Sequence, residues 1–361
     1  MKKNIILSFQ ISTVFIGTLV GAGLASGQEI KQFFSIFGYK SFFGIMLCAI
    51  LYILVCNMII KMSIERRLPS YNYLIKAVSV GLLGNTFGNI ISKVLEFITG
   101  SFILCSSGII LAGSGALLNQ FLGIPKFIGI FLMLFVALIT LLRNTKGLIE
   151  INSFIVPCLI IVVLTVFLLS MFYYRKVISL DYIKDIPKYK DGWLKSTFLY
   201  AGYNIFGCIG VLVPLSSELP NKKSLYWGIF IGSVGLTVLC LIINLLLMLN
   251  IPYIFHYEIP LLYIANRFGK LIQFILLIII WLEMFSTEVS DVYSLGKAME
   301  NSFKISYNKS IIILLALALP ISSLGFVNLI TVLYPAFGVV SLIFVILFVV
   351  YYIKTLNTKL N

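Results

Sequence analysis

The stretch Gly17-Thr18-Leu19-Val20-Gly21-Ala22-Gly23-Leu24-Ala25-Ser26-Gly27-Gln28-Glu29 interrupts the first apolar run of the chain with glycines, a serine, an amide and an acid. A glycine in a helix interior costs roughly 1 kcal/mol relative to alanine. In hydrocarbon a freed backbone group finds no water, so a break at membrane depth persists only where protein or a wet cavity satisfies it. The stretch therefore predicts a broken membrane helix at a binding site. Close helix packing is the alternative, because Gly17/Gly21 and Gly23/Gly27 both keep Gly-x-x-x-Gly spacing. Packing glycines, however, have no need of Gln28 and Glu29 beside them.

Working outward, the whole chain has the composition of a bilayer protein. Its 361 residues are 60% hydrophobic and only 11% charged, far too apolar for a soluble globule of this size. It reads as an all-α polytopic membrane protein. A formal charge of +14 would suggest nucleic acid in a soluble domain, but the lysines and arginines fall mostly between apolar runs, where they set topology. Nucleic acid is therefore excluded as a partner, and the lipid bilayer is expected. The six cysteines all sit inside apolar runs with no Cys-x-x-Cys spacing, which implies neither a disulfide framework nor a zinc site. His256 lies in a connecting segment, and no Ser/His/Asp or paired-carboxylate arrangement falls on one aqueous face. The chain is thus not expected to be an enzyme or to carry an organic cofactor.

Met1-Lys2-Lys3 before an apolar run imitates a secretory signal, with Ala25-Ser26-Gly27 as a weak cleavage site. The polar interruption falls where a signal's apolar core must be continuous, so the segment is expected to be retained. A spanning helix needs about 20 mainly apolar residues. On that rule the spans lie near 5–35, 41–61, 86–113, 125–142, 151–173, 194–218, 225–249, 270–297, 308–323 and 328–353, which makes about ten.

With the N-terminus cytoplasmic, the inner segments hold Lys2, Lys3, Lys61, Arg66, Arg67, Lys76, Arg143, Lys146, Lys222, Lys223, Lys297, Lys304, Lys309, Lys354 and Lys359. The short outer loops hold Lys31, Lys40, Lys126, Arg267 and Lys270, and a mixed-charge outer loop runs from Tyr174 to Lys195. The positive-inside rule places both termini in the cytoplasm of a cell-membrane protein.

This number of spans divides into two five-helix halves of opposite orientation, 1–173 and 194–361, joined by an extracellular loop over 174–193. A second glycine-punctuated stretch appears where that division predicts it. It runs Tyr200-Ala201-Gly202-Tyr203-Asn204-Ile205-Phe206-Gly207-Cys208-Ile209-Gly210, with Asn204 as an intramembrane amide. The expectation is that helices one and six are both broken. Corresponding helices three and eight each carry a mid-run acid, Glu96 and Glu283. No residue-by-residue repeat accompanies this symmetry.

The segment Gly17-Thr18-Leu19-Val20-Gly21-Ala22-Gly23-Leu24 resembles the unwound first helix of LeuT-fold secondary transporters, and Phe285-Ser286-Thr287-Glu288-Val289-Ser290 is similar to that fold's hydroxyl-bearing eighth helix. The longer stretch Gly21 to Ile30 more specifically resembles the YkvI-like family of bacterial membrane proteins. The LeuT resemblance implies a sodium site made by the carbonyls of Gly17, Val20 and Glu283 and the hydroxyls of Ser286 and Thr287. Residues 283, 286, 287 and 290 share one helix face, and a hard monovalent cation suits uncharged oxygen ligands. Proton-coupled relatives replace that cation with a helix-five ammonium, and the run 151–173 has no lysine or arginine. Leu24 stands where some relatives hold a second cation with a side-chain amide. Helix three carries Ser101, Cys105, Ser106 and Ser107 where a carboxylate-binding tyrosine would be expected.

These readings converge on a cation-coupled secondary transporter of a small polar metabolite, with sodium or a proton as the coupling ion. Amino acids or related amines are favoured by the resemblance. The alternative is a ligand-sensing subunit that does not transport, because membrane subunits of spore germinant receptors resemble ten-helix proteins of this kind. The substrate is expected at Gly21, Ala22, Gly23, Ala25 and Ser26 of the first break and at Gly202, Tyr203 and Asn204 of the second. There the dipole ends of half-helices would suit a zwitterion. Lys93, Glu96 and Glu29 are candidates for gating or proton relay, with Lys93 and Glu96 close enough on one helix to neutralise each other instead.

Overall fold

The computed structural model of the protein describes residues 2–360 other than 69, 144–147, 177 and 219–221. Lys146, one of the charges used to set the topology, lies outside the described residues. The helices are α1 (Lys2–Leu19), α2 (Ala22–Ser26), α3 (Gln28–Phe33), α4 (Lys40–Arg66), α5 (Tyr71–Leu83), α6 (Asn85–Leu122), α7 (Lys126–Arg143) and α8 (Leu148–Tyr174). There follow α9 (Leu180–Asp185), α10 (Trp193–Glu218), α11 (Lys222–Met248), α12 (Pro260–Asn266), α13 (Lys270–Phe303), α14 (Tyr307–Ser322) and α15 (Phe326–Leu360). Single 3₁₀ turns occupy Ser35–Phe37 and Tyr253–His256. Among the described residues, α4, α6, α8, α10, α11, α13 and α15 are long and apolar enough to cross a membrane. The remaining runs read from the sequence fall on the shorter apolar helices α1, α7 and α14. The amphipathic α5 and the short α9 and α12 fill segments in which the sequence showed only connections.

The helices sort into two packed groups. In one, α1 lies on α11 and α10, and α4 lies on α10 and α11; in the other, α6, α7, α13 and α14 pack on one another. The flanking α8 touches α1, α11 and α13, while α15 touches α4, α5, α6 and α10. Because lipid is as apolar as a leucine, helices in a membrane gain from close van der Waals approach, which small residues permit. On α11, a β-carbon at Gly228 would sit 2.6 Å from Ile11 Cβ, and one at Gly232 would sit 2.8 Å from a Phe15 ring carbon. At the α6–α7 crossing, a β-carbon on Gly129 would lie 2.8 Å from Gly115 Cα.

The first interruption is a real break. The Val20 amide still reaches Ile16 O at 2.8 Å; the helix then stops, and it resumes with the Ala25 amide on Gly21 O at 2.9 Å. Gly21 itself is extended, at φ −117° and ψ −170°. A second turn of direction follows at Gly27, whose φ of 81° lies in the left-handed region that glycine tolerates and that ends α2 against α3.

The second interruption is not a break, contrary to the expectation for helix six. The helix α10 runs unbroken from Trp193 to Glu218. A β-carbon at Gly202 would lie 3.0 Å from both Cα and Cβ of Leu342, so this glycine lets α15 approach. Gly207 and Gly210 have nothing within 4 Å of that position. Asn204 stays inside the helix, where its Nδ2 donates to Tyr200 O at 2.9 Å. No half-helix ends at Gly202, and the carbonyl terminus expected there is absent.

Candidate functional site

The break in α1 opens onto a cavity of about 420 Å3 between the two helix groups. Gly17 to Ala22 form one wall, Tyr203, Asn204, Phe206, Gly207 and Ile209 to Val211 contribute from α10, and Thr287, Ser290, Asp291 and Ser294 come from α13. Phe102 and Ser106 of α6, Tyr71 and Ile75 of α5, and Tyr334 of α15 complete the lining. The non-helical backbone at Val20 and Gly21 thus lines a cavity within the protein, the condition under which such a break is tolerated at membrane depth.

The cavity is closed at one end. Tyr203 stacks on Tyr334 with ring centroids 4.9 Å apart, and Phe102 meets Tyr203 edge-on at 5.5 Å. Beyond them lies Tyr200, flanked by Phe33 at 5.2 Å and Phe34 at 4.9 Å. Hydrogen bonds hold this layer in place. Ser196 Oγ donates to Phe33 O at 2.8 Å, and Asn244 joins the 3₁₀ turn to α4 by accepting from Ser35 Oγ at 2.9 Å and donating to Ser41 Oγ at 2.8 Å. The connection between α11 and α13 straps both helix groups together at this end. Lys31 Nζ donates to Tyr257 O at 3.2 Å, and Gln120 exchanges two bonds of 2.9 Å with the backbone of Ile259. Lys126 pairs with Glu258 beside them. The other end is open: the lining descends α10 to the exposed Gly207 and Gly210 and α13 to the exposed Ser290 and Ser294, toward α5.

The residues singled out in the sequence divide around this cavity. Gly17, Val20, Gly21, Ala22, Tyr203, Asn204 and Thr287 line it. Gly23, Ala25 and Ser26 do not; they are buried, and the Ser26 hydroxyl donates to Gly23 O at 2.9 Å while accepting from the Gln28 amide at 3.2 Å. Gly202 faces Leu342 instead. Glu29 is 1% exposed and folds back over Gly23. Tyr200 Oη donates to its Oε2 at a long 3.5 Å, and Tyr334 also bonds it. Lys31 does not pair with Glu29, because its ammonium is taken up by the carbonyls of the strap. Lys93 is exposed, Glu96 is half-buried, neither lines the cavity, and no ion pair among the described residues joins them. On α13, Thr287 Oγ1 donates to Glu283 O at 3.0 Å, while Ser286 and Glu283 are buried away from the cavity surface.

Two acids of α13 were not assigned from the sequence. Glu288 is fully buried, with its Oε1 accepting from Ser107 Oγ at 2.6 Å, and Asp291 lines the cavity together with Ser106. One oxygen of each, Oε2 and Oδ2, has no hydrogen-bond partner. A signal for Asp291 was present in the sequence, since 287, 291 and 294 follow a three- and four-residue helical spacing.

Comparison with solved structures identifies the fold. The chain superposes on an Na+-coupled sialic acid symporter in a substrate-bound outward-open state with a TM-score of 0.63 at 14% identity, covering 96% of this chain and 78% of that one. The inward-facing conformation of Mhp1 gives 0.61 at 12% identity over 92% and 73%. MhsT in complex with L-phenylalanine gives 0.60 at 14% identity over 95% and 88%. These are LeuT-fold transporters, and the chain has their fold. No family model matches it. Among relatives of known sequence, the protein named Uncharacterized protein YyaD from Bacillus subtilis (strain 168) is 24% identical over 94% of this chain and 95% of its own length. The Uncharacterized membrane protein YkvI of the same organism is 31% identical over 336 residues, 93% of each chain. The chain therefore belongs to the YkvI family of membrane proteins.

Proposed function

We propose that the protein is a cation-coupled secondary transporter of a small polar metabolite, working by alternating access in the cell membrane with both termini cytoplasmic. The observation that carries this reading is a cavity at a broken helix, open at one end and sealed at the other by a separate layer of aromatic rings and hydrogen bonds. A carrier needs such a pair of gates; a permanent pore does not. The open end faces α5 and the ends of α10 and α13, the side to which positive-inside topology assigns the cytoplasm. The present form is then the inward-open one.

The packing partners support two five-helix halves, 1–173 and 194–361. Shifting each helix by five places turns α1 on α11 into α10 on α4, and α8 on α13 into α15 on α6, both of which are present. Gly21, Ala22, Tyr203 and Asn204 would contact the substrate. A sodium ion would be held by the carbonyls of Gly17, Val20 and Glu283 with the hydroxyls of Ser286 and Thr287. Gly17, Val20 and Thr287 share the cavity wall, and the Thr287 hydroxyl keeps its acceptor lone pairs while donating to Glu283 O. Bound there, the ion would tie α13 to the break in α1. Glu29 serves as a latch of the sealed end. Among the neighbouring folds, one is an Na+-coupled sialic acid symporter and another has bromovinylhydantoin bound; amino acids or related amines are our preferred cargo here.

The test is uptake of a defined metabolite mixture into proteoliposomes, read by mass spectrometry under an inward sodium gradient. The expected result is concentrative accumulation of at least one solute, lost when the gradient is collapsed and weakened in the Ser286→Ala/Thr287→Ala double variant. Stabilisation of the purified protein by a metabolite without accumulation would instead make it a sensor.

A further inference from the structure

We propose that the cavity takes a small organic cation, a molecule with a protonated amine and no carboxylate, and that Asp291 is the group that holds its ammonium. This rests on the reading of the cavity as the substrate site and names the class of its occupant.

The argument is one of uncompensated charge. Asp291 is the charged side chain in the lining, which contains no lysine, arginine or histidine. Its Oδ2 has no hydrogen-bond partner, and Ser106 shares the lining with it. Around this oxygen the protein adds more acid and no base. Glu288 lies one turn back, fully buried, with Oε2 equally unpartnered, and Glu29 stands behind Tyr334 at the sealed end. None of the three belongs to an ion pair among the described residues. A buried carboxylate without a partner is costly, and an ammonium with its three donors is the group that relieves it.

The rest of the lining suits the same occupant. Phe102, Tyr203, Phe206 and Tyr334 present aromatic surface to the cavity, which attracts a cation and accepts a hydrocarbon stem. A ligand carboxylate has no such counterpart. Near the start of α2 the Glu29 carboxyl packs against Gly23, and it would repel a ligand carboxylate there. The volume of about 420 Å3 lies at the small end of ligand pockets.

Three probes of one chain length separate the classes: pentylamine, norleucine and hexanoate, titrated against the purified full-length protein at constant ionic strength. Pentylamine is expected to bind and to raise the melting temperature, with norleucine and hexanoate weaker by at least about tenfold. Asp291→Asn should weaken pentylamine by roughly ten- to a hundredfold, the scale of a lost charge-assisted bond. Should that variant not fold, Ser294→Cys gives an independent reading. A cationic thiosulfonate reagent should label it faster than an anionic one, above the background of the native cysteines, and pentylamine should slow both. Stronger binding of norleucine or hexanoate, an Asp291→Asn variant with undiminished pentylamine affinity, faster anionic labelling, or an equal Asp291-dependent shift from sodium chloride alone would each overturn the assignment. Because these are binding measurements, they can fail while concentrative uptake of some other solute succeeds, or succeed while uptake fails.

Discussion

The closest approach at the break is between two residues of the same motif. Glu29 lies so tightly on Gly23 that a single methyl there would overlap its carboxyl and Cγ. Gly23→Ala is therefore expected to lower stability by about 1–3 kcal/mol, the usual range for overpacking. Adding Glu29→Ala should return much of it, so that the double variant is more stable than the sum of the singles predicts. Thermal unfolding of the four proteins in one detergent reads this directly, and simple additivity would show that the two side chains do not share the space. At this scale the sequence was half legible. The glycines marked the broken helix, but nothing in their spacing told that the acid turns inward over Gly23 while Lys31 is taken up by the carbonyl of Tyr257. That direction is set by Tyr200 and Tyr334, which come from distant parts of the chain.

Among the elements, α1 and α10 look alike in sequence and differ in structure. Both carry glycines at two- to five-residue spacing with a polar residue among them, yet one is broken and the other continuous. A glycine removes a side chain whether the helix needs to bend there or needs a neighbour to come close, and only the neighbour decides which. Gly202 has Leu342 at 3.0 Å, whereas Gly207 has open space. Gly202→Val should thus separate α10 from α15 and cost about 1–3 kcal/mol, while Gly207→Ala should leave stability unchanged or raise it by up to about 1 kcal/mol through helix propensity. Comparing the two melting temperatures separates packing from bending; a Gly207→Ala variant as damaged as Gly202→Val would mean that α10 has to bend. The same ambiguity explains why α5 escaped notice. Its apolar face is only a few residues wide and covers α6 and α15, too little to stand out beside the spanning runs.

Hydropathy alone carried most of the whole-molecule architecture, since the apolar runs fall on seven helices long enough to span and three shorter ones among the described residues. The partition into two packed groups did not follow, because it depends on which small residues meet across helices far apart in sequence. The topology makes a sharp prediction: cysteines placed at Lys184 and Lys354 should react from opposite faces of the membrane with an impermeant reagent. Labelling of both from one face would place an even number of spans between them and remove the two-half arrangement.

Two helices that look alike in sequence need not share their mechanics. The first helix can fold at Val20–Gly21, where rotation about a few backbone bonds moves one arm and leaves the other still. Its counterpart α10 continues as helix through Gly202, Gly207 and Gly210, with Pro214 one turn beyond them, and packs along α4 and α15. In the carrier proposed above, opening toward each face would then draw on a different motion, one hinged and one carried by a whole helix. Unequal barriers would set how fast each reorientation runs, while the solute and ion gradients alone would set the net direction of transport.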